Sequence, residues 1–268
     1  MAKQVAHRVP IGNRVLAALP HADYERLLAN FEPVTLTFGE VLYEPGDKIR
    51  YVYFPSNSLV SLLSLVDRHL ALEVGMVGRE GMVGVALALG IGTSPVRALV
   101  QGAGTAMRMK ASHFRREFRN SEPLRAAVLL YTHALMAQIA QTAACNRFHV
   151  VAARLARWLL MTRDRVGSDR FRLTHEFLGH MLGVRRVGVT NAASALRRGK
   201  LIEYSRGDIT ITDAEGLQAA SCSCYDQVNG EVRRLTRTAV LHRREKADAA
   251  PSCYVLKRTE SAADRSAS

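Results

Sequence analysis

The sequence predicts an α+β fold in three stretches: an N-terminal antiparallel β-roll, a long helix, and a C-terminal winged helix-turn-helix. Three observations carry this reading. From Pro33 to about Lys110, short runs rich in β-branched and aromatic residues alternate with turn residues. From about Ser121, apolar residues recur at helical spacing. Beyond residue 149, two short helical patterns meet at a glycine and lead into a pair of alternating segments.

Within the roll, the runs VTLTF, EVLYEPGD, YVYFPSNSLVSLLSLV, LALEVGMVG and RALVQGAGTAMRM are punctuated by Pro45-Gly46 and Pro55-Ser56-Asn57. The segment SEPLRAAVLLYTHALMAQIAQTAAC then places Leu124, Val128, Tyr131, Leu135 and Ile139 on one stripe, and Ala127, Leu130, Ala134 and Ala137 on a second. A helix apolar on two faces needs two things to pack on. The roll is one; a second copy of the same helix is the other, since small residues permit close approach.

A further helix is expected from His149 to about Arg165, with Val151, Leu155, Trp158 and Leu159 on one side and Arg154 and Arg157 on another. Thr174 then suits an N-cap and Glu176 the positive end of a helix, while Phe177, Leu178, Met181 and Leu182 form its apolar face. Gly183 ends it. The next helix starts near Arg185, buries Val189, Ala192, Ala193 and Leu196, and closes at Gly199. LIEYSRGDITIT alternates around Arg206-Gly207, a two-residue hairpin turn that supplies the wing. The boundaries that follow are a roll at 15–120, a long helix at 121–146, a winged helix-turn-helix at 147–226 and a tail at 227–268, partly helical at its start and then disordered.

Composition narrows the function. The 268 residues are 48% apolar and carry a net charge of +13 with a pI near 10.1, which suits a polyanionic partner. Lys and Arg outnumber Asp and Glu 14 to 10 up to residue 120 and 23 to 14 after it, so the excess lies in the second half. The longest apolar stretch, GMVGVALALGIG, is too short to span a membrane, and Pro10, Gly12, Asn13 and Arg14 interrupt any signal-peptide core, so a cytoplasmic protein is expected. Four cysteines are too few for a disulfide framework. Cys222 and Cys224 stand one residue apart, short of the usual zinc spacing, and His69, His113, His133 and His149 are scattered, so no metal site is expected. No Walker loop, nucleophile elbow or carboxylate constellation is present, which argues against an enzyme.

From Phe177 to Ile202 there is no Asp or Glu, while Arg185, Arg186, Arg197, Arg198 and Lys200 are all present. A helix-turn-helix sets its second helix in the major groove, where a carboxylate would face the phosphate field. Double-stranded DNA is the partner this pattern predicts. Arg185, Arg186, Val187, Thr190 and Asn191 fall where base edges are read; Thr174, Ser194, Arg197, Arg198, Lys200 and Arg206 fall where phosphates are held.

The segment LTHEFLGHMLGVRRVGVTNAASALRRGKLI, followed by EYSRGDITITD, resembles the DNA-binding domain of the Crp/Fnr family of bacterial transcription regulators. The resemblance covers about Val15 to Tyr225 and is stronger in the second half. It implies a cyclic-nucleotide-binding-type β-roll, a dimerisation helix, a homodimer on a palindromic operator, and RNA polymerase as a further partner. Arg186 matches the first reader of the family's recognition pattern, but Val187 stands where a Glu is usual and Asn191 where a second Arg is usual. Asn pairs with adenine and Val187 or Thr190 can touch a thymine methyl, so a changed half-site is expected.

In family members that bind cyclic nucleotide, the resemblance implies a Gly-Glu pair for ribose and an Arg-Ser pair for phosphate. Arg97 matches the phosphate Arg, but Ala98 replaces the Ser, and Glu80 is the only nearby analogue of the Glu. These two form a weak effector pocket at best; no cofactor is predicted, and cyclic nucleotide is possible but not expected. The sequence-specific regulator is the leading reading. A ligand-binding module whose helix-turn-helix serves protein contacts, and a nonspecific nucleic-acid binder, are the alternatives.

Overall fold

Two antiparallel sheets face each other across the N-terminal core of the computed structural model, which describes residues 12–66, 71–205 and 207–234. One sheet has the order β1 (Phe31–Leu36), β7 (Gly104–Lys110), β3 (Tyr51–Pro55). The other has the order β2 (Val41–Tyr43), β6 (Arg97–Gly102), β4 (Leu59–Leu65), β5 (Ala71–Val77). Tyr53, Phe54, Val60, Leu62, Val77 and Val100 fill the space between them. The expected β-roll is present. Two short helices that the sequence reading did not anticipate precede it: α1 (Arg14–Ala17), capped by Asn13, and α2 (His21–Leu28).

Helix α3 (Ala111–Asn120) leads into α4 (Glu122–Phe148), whose Ser121 N-cap accepts from Leu124 N at 3.3 Å. Leu124, Val128, Tyr131 and Leu135 are buried on α4, and Ile139 packs beside them against the roll, as the first stripe predicts. The second stripe is placed differently. Ala127 and Ala134 are also buried, and the outward row is Ala126, Leu129, His133, Met136, Ala140, Ala143 and Arg147. That row steps by three and four in alternation, the heptad period, which keeps one seam facing a partner when two helices wind around each other. The expected face was one position out of phase with it.

After α4, α5 (Val151–Val166) carries Leu155, Trp158 and Leu159 into a second core built with α6 (His175–Leu182) and α7 (Arg186–Arg198). The wing is three-stranded, β8 (Arg170–Arg172), β10 (Asp208–Ile211), β9 (Ile202–Ser205), one strand more than the hairpin expected. Gly207, at φ 90°, makes the tight β9–β10 turn feasible. Helix α8 (Ala214–Ala220) follows, capped by Asp213.

Residues 224–234 then form a helix, α9, that corrects the boundary at 227. Val228 is buried in the second core, Tyr225 Oη donates to Asp164 at 2.8 Å, and Glu231 meets His133 of α4 at 2.9 Å. Burial and these bonds hold the start of the supposed tail on the body. The remaining tail, 235–268, lies outside the described residues, as does Arg206.

The two cores share a wall. Leu59, Leu63 and Met76 of β4 and β5 point to Trp158, whereas Val60, Leu62 and Val77 point into the roll. A sheet covered on both faces loses the polar alternation of a half-exposed strand. Buried in that wall, Glu73 accepts from Trp158 Nε1 at 2.9 Å and from Ser61 Oγ at 2.5 Å. Next to it, Arg165 of α5 holds Glu80 at 2.8 Å, with both side chains almost fully buried.

Candidate nucleic-acid interface

Helix α6 ends at Gly183, whose φ of 61° lets the chain turn in the left-handed region before α7 begins three residues later. The Val184 amide bonds the Gly179 carbonyl at 2.9 Å and closes that turn. On α7, Val189, Ala192, Ala193 and Leu196 recur at helical spacing and are buried against α5 and α6. The opposite face must therefore be exposed. Arg185, the N-cap, and Arg186, Val187, Thr190 and Asn191 are all exposed, and Ser194 is half-buried further along.

Val187 is 62% exposed and outside the hydrophobic clusters of the described residues, which suits contact with a thymine methyl. Arg197, Arg198 and Lys200 are exposed at the far end of α7. Among the described residues, none of the five cations Arg185, Arg186, Arg197, Arg198 and Lys200 has an acidic partner. Lys200 itself adopts φ 58°, which continues the chain out of α7 towards the wing.

Thr174 caps α6, accepting from Phe177 N at 3.1 Å. Beside it sits a residue that the sequence reading missed. His175 Nδ1 lies 3.0 Å from Thr190 Oγ1, and Thr190 Oγ1 donates to the Arg186 carbonyl at 3.1 Å. With the Thr190 proton committed, the imidazole Nδ1–H is the donor of the first bond. The His175 ring stacks on Tyr204 of the wing with centroids 4.2 Å apart and planes at 21°. Burial, and secondarily the Arg186 charge, lower the His175 pKa, which favours the neutral ring that this arrangement uses. Thr190 therefore offers its methyl, rather than a free hydroxyl, to a base edge. The signal for this contact is a fifteen-residue separation across the turn, which no local pattern displays.

Residues 153–220 match the family model of the Crp-like helix-turn-helix domain. The C-terminal half contains a Crp-like helix-turn-helix domain. Solved structures share the fold over about seven tenths of the chain. FixK2 from Bradyrhizobium japonicum superposes with a TM-score of 0.61 at 14% identity, over 72% of this chain and 98% of that one. The c-di-GMP-responsive global regulator CLP from Xanthomonas campestris gives 0.60 at 16% identity, over 72% and 99%. A CRP-family transcriptional regulator from Thermus thermophilus gives 0.59 at 18% identity, over 70% and 96%. No curated protein matches in sequence. In fold, the chain is thus of the Crp/Fnr type. Among the described residues no helix is long and apolar enough to cross a membrane.

The two effector candidates are placed apart in function. Arg97 Nε lies 3.0 and 2.9 Å from the two carboxylate oxygens of Glu44, and Glu80 is held by Arg165. Each is already satisfied by a different partner, and Ala98 is fully buried between strands.

The cysteines and histidines set up no metal pattern in the sequence, yet four of them meet in space. Cys145, His149, Cys222 and Cys224 come together at the junction of α4, α5 and α9. Their separation in the chain hid them.

Proposed function

We propose that the protein is a sequence-specific transcription regulator that binds DNA as a homodimer on a two-fold symmetric operator. The observation that carries this reading is the exposed face of α7, which combines Val187, Thr190 and Asn191 with five cations at the helix ends that have no acidic partner among the described residues. A charged surface alone would need no Asn and no exposed Val. The heptad seam of Ala126, Leu129, His133, Met136, Ala140 and Ala143 supports association through α4, with 44% of Leu129 and 64% of Met136 open in the monomer. RNA polymerase is the partner through which a regulator of this type would act. Such a protein works in the cytoplasm.

Arg186 and Asn191 are base readers in this reading, and Arg197, Arg198, Lys200 and the Thr174 end of α6 hold phosphates. The test selects sites from a randomised library at two salt concentrations. Arg186→Ala is expected to cost about 1–3 kcal/mol and relax preference at one position of each half-site, while Arg197→Ala weakens all sites alike and lowers the salt slope by about one. Selected sites should repeat with two-fold symmetry at roughly 34–36 Å. Equal losses with unchanged preference would reduce α7 to a charged surface, and sites without a repeat would remove the dimer.

A further inference from the structure

Three thiols and one imidazole converge where the long helix hands over to the DNA-binding half. Cys145 lies in the last turn of α4, and His149 is its C-cap, one residue before the N-cap of α5. Cys222 lies between α8 and α9, and Cys224 is the first residue of α9. Cys145 Sγ is 3.5 Å from Cys222 Sγ, and Cys224 Sγ is 3.4 Å from His149 Nδ1. All four donor atoms lie within 4.8 Å of one another. A tetrahedral zinc ion with bonds of about 2.3 Å to sulfur and 2.0–2.1 Å to nitrogen separates its ligands by about 3.5–3.8 Å. The set is thus at single-ion spacing, and too tightly gathered for a cluster of several irons.

Charge points the same way. Cys145, Cys222 and Cys224 are buried, and beside them on α5 stand Arg154 and Arg157, which are 6% and 4% exposed. The charges of Arg154 and Arg157 reach the thiols. Among the described residues neither arginine has a carboxylate partner; Arg154 donates to the Leu182 carbonyl and Arg157 to the Met161 sulfur. The charge of Arg157 also reaches the buried Glu73, which burial disposes towards its neutral form, so the two guanidiniums are only thinly compensated; that is costly, and an anionic centre beside them relieves the cost. Three thiolates around a dication carry one net negative charge. Gln141 Nε2, 3.0 Å from Cys224 Sγ, supplies an outer-shell donor of the kind that tunes such thiolates.

We propose that Cys145, His149, Cys222 and Cys224 form a closed structural zinc site that clamps the end of the long helix to the C-terminal helix at the joint between the two halves. With four protein ligands the site has no open position, so its role is mechanical rather than catalytic. It fixes the direction in which α5, and with it α7, leaves α4. This holds whether or not the protein regulates transcription.

The test is metal analysis of the full-length reduced protein after dialysis, followed by replacement with Co²⁺. About one zinc per chain is expected. Cobalt should give the intense visible bands of tetrahedral coordination together with thiolate charge-transfer absorption. Cys145→Ser and Cys224→Ser should lose both signals, Cys253→Ser should keep them, and His149→Cys should retain a tetrahedral spectrum. Gln141→Ala should keep the spectrum but weaken zinc affinity about 10–100-fold. Should the ligand variants misfold, the wild-type stoichiometry and cobalt spectrum, with the Gln141 and Cys253 variants, still decide. Folded, reduced wild-type protein that takes up no tetrahedral cobalt would overturn the site. So would iron or copper in place of zinc, a Cys145–Cys222 disulfide isolated without metal, or metal retained by both serine variants.

Discussion

Arg97, Arg108 and Arg165, in the roll and at its joint, are each paired with a carboxylate; among the described residues the arginines on the recognition helix are not. Arg97 meets Glu44 and Arg108 meets Glu32, each at 2.9 Å, and Arg165 meets Glu80 at 2.8 Å. On α7 and at its ends the cations stand without acidic partners among the described residues. The same side chain serves two ends, and net charge does not distinguish them. What marks a polyanion site is exposed charge that the fold declines to neutralise. By this measure the roll has no free cation at Arg97 to meet a phosphate, because a ligand there must first displace a carboxylate.

The contrast breaks most visibly at its buried end. Arg165→Ala strands the Glu80 carboxylate and should lower the unfolding free energy by about 3–5 kcal/mol in a urea titration. A loss within about 0.5 kcal/mol would mean that the pair contributes no more than an exposed one.

Glu73 sharpens the same end. Burial pushes its pKa from 4.5 up to about 7, against the lowering effect of its bonds to Ser61 and Trp158. The folded value lies above the unfolded one, so this group's contribution to stability is complete below about pH 4.5 and is lost as the pH rises through about 7. Between pH 5 and 8 the wild type should lose about 2–3 kcal/mol more than Glu73→Gln. Parallel pH profiles for the two proteins would show that Glu73 titrates normally.

At the unpaired end, Arg186→Ala should leave the urea midpoint unchanged while costing operator affinity, as set out above. A matching loss of stability would show that Arg186 has an intramolecular role.

The smallest effect is expected at Arg97, whose side chain is 34% exposed. Arg97→Ala should change stability by less than about 1 kcal/mol. Calorimetry of the wild type with cyclic AMP or cyclic GMP should show no saturable micromolar heat. A saturable signal abolished by Arg97→Ala would mean that the Glu44 pair opens for a ligand.

The parts legible in the sequence are those specified by neighbours in the chain. Thr174, Gly183 and Gly199 punctuate α6 and α7, the turn residues mark the strands, and the inward stripe of α4 follows from its spacing. The outward stripe was misplaced because Ala127 joins the core of the roll and Ala134 is buried as well, and alanine carries no sign of which side it faces. Strand β8 escaped notice because three residues hold too little pattern, and its place depends on β10. Distance in sequence hid the rest. Glu80 and Arg165 are 85 residues apart, Cys145 and Cys222 are 77 apart, and neither side of such a meeting announces the other.

The wall shared by the two cores bears on how the molecule can be taken apart. A fragment starting at α5 would take Trp158 away from the β4–β5 wall and from Glu73, and a roll ending before it would bare Leu59, Leu63 and Met76. The helix-turn-helix is therefore no portable cassette that can be moved to another sensor by cutting at residue 150. Strain imposed on β4 or β5 is felt at once by α5, and through their packing by α7, with no slack tether to absorb it.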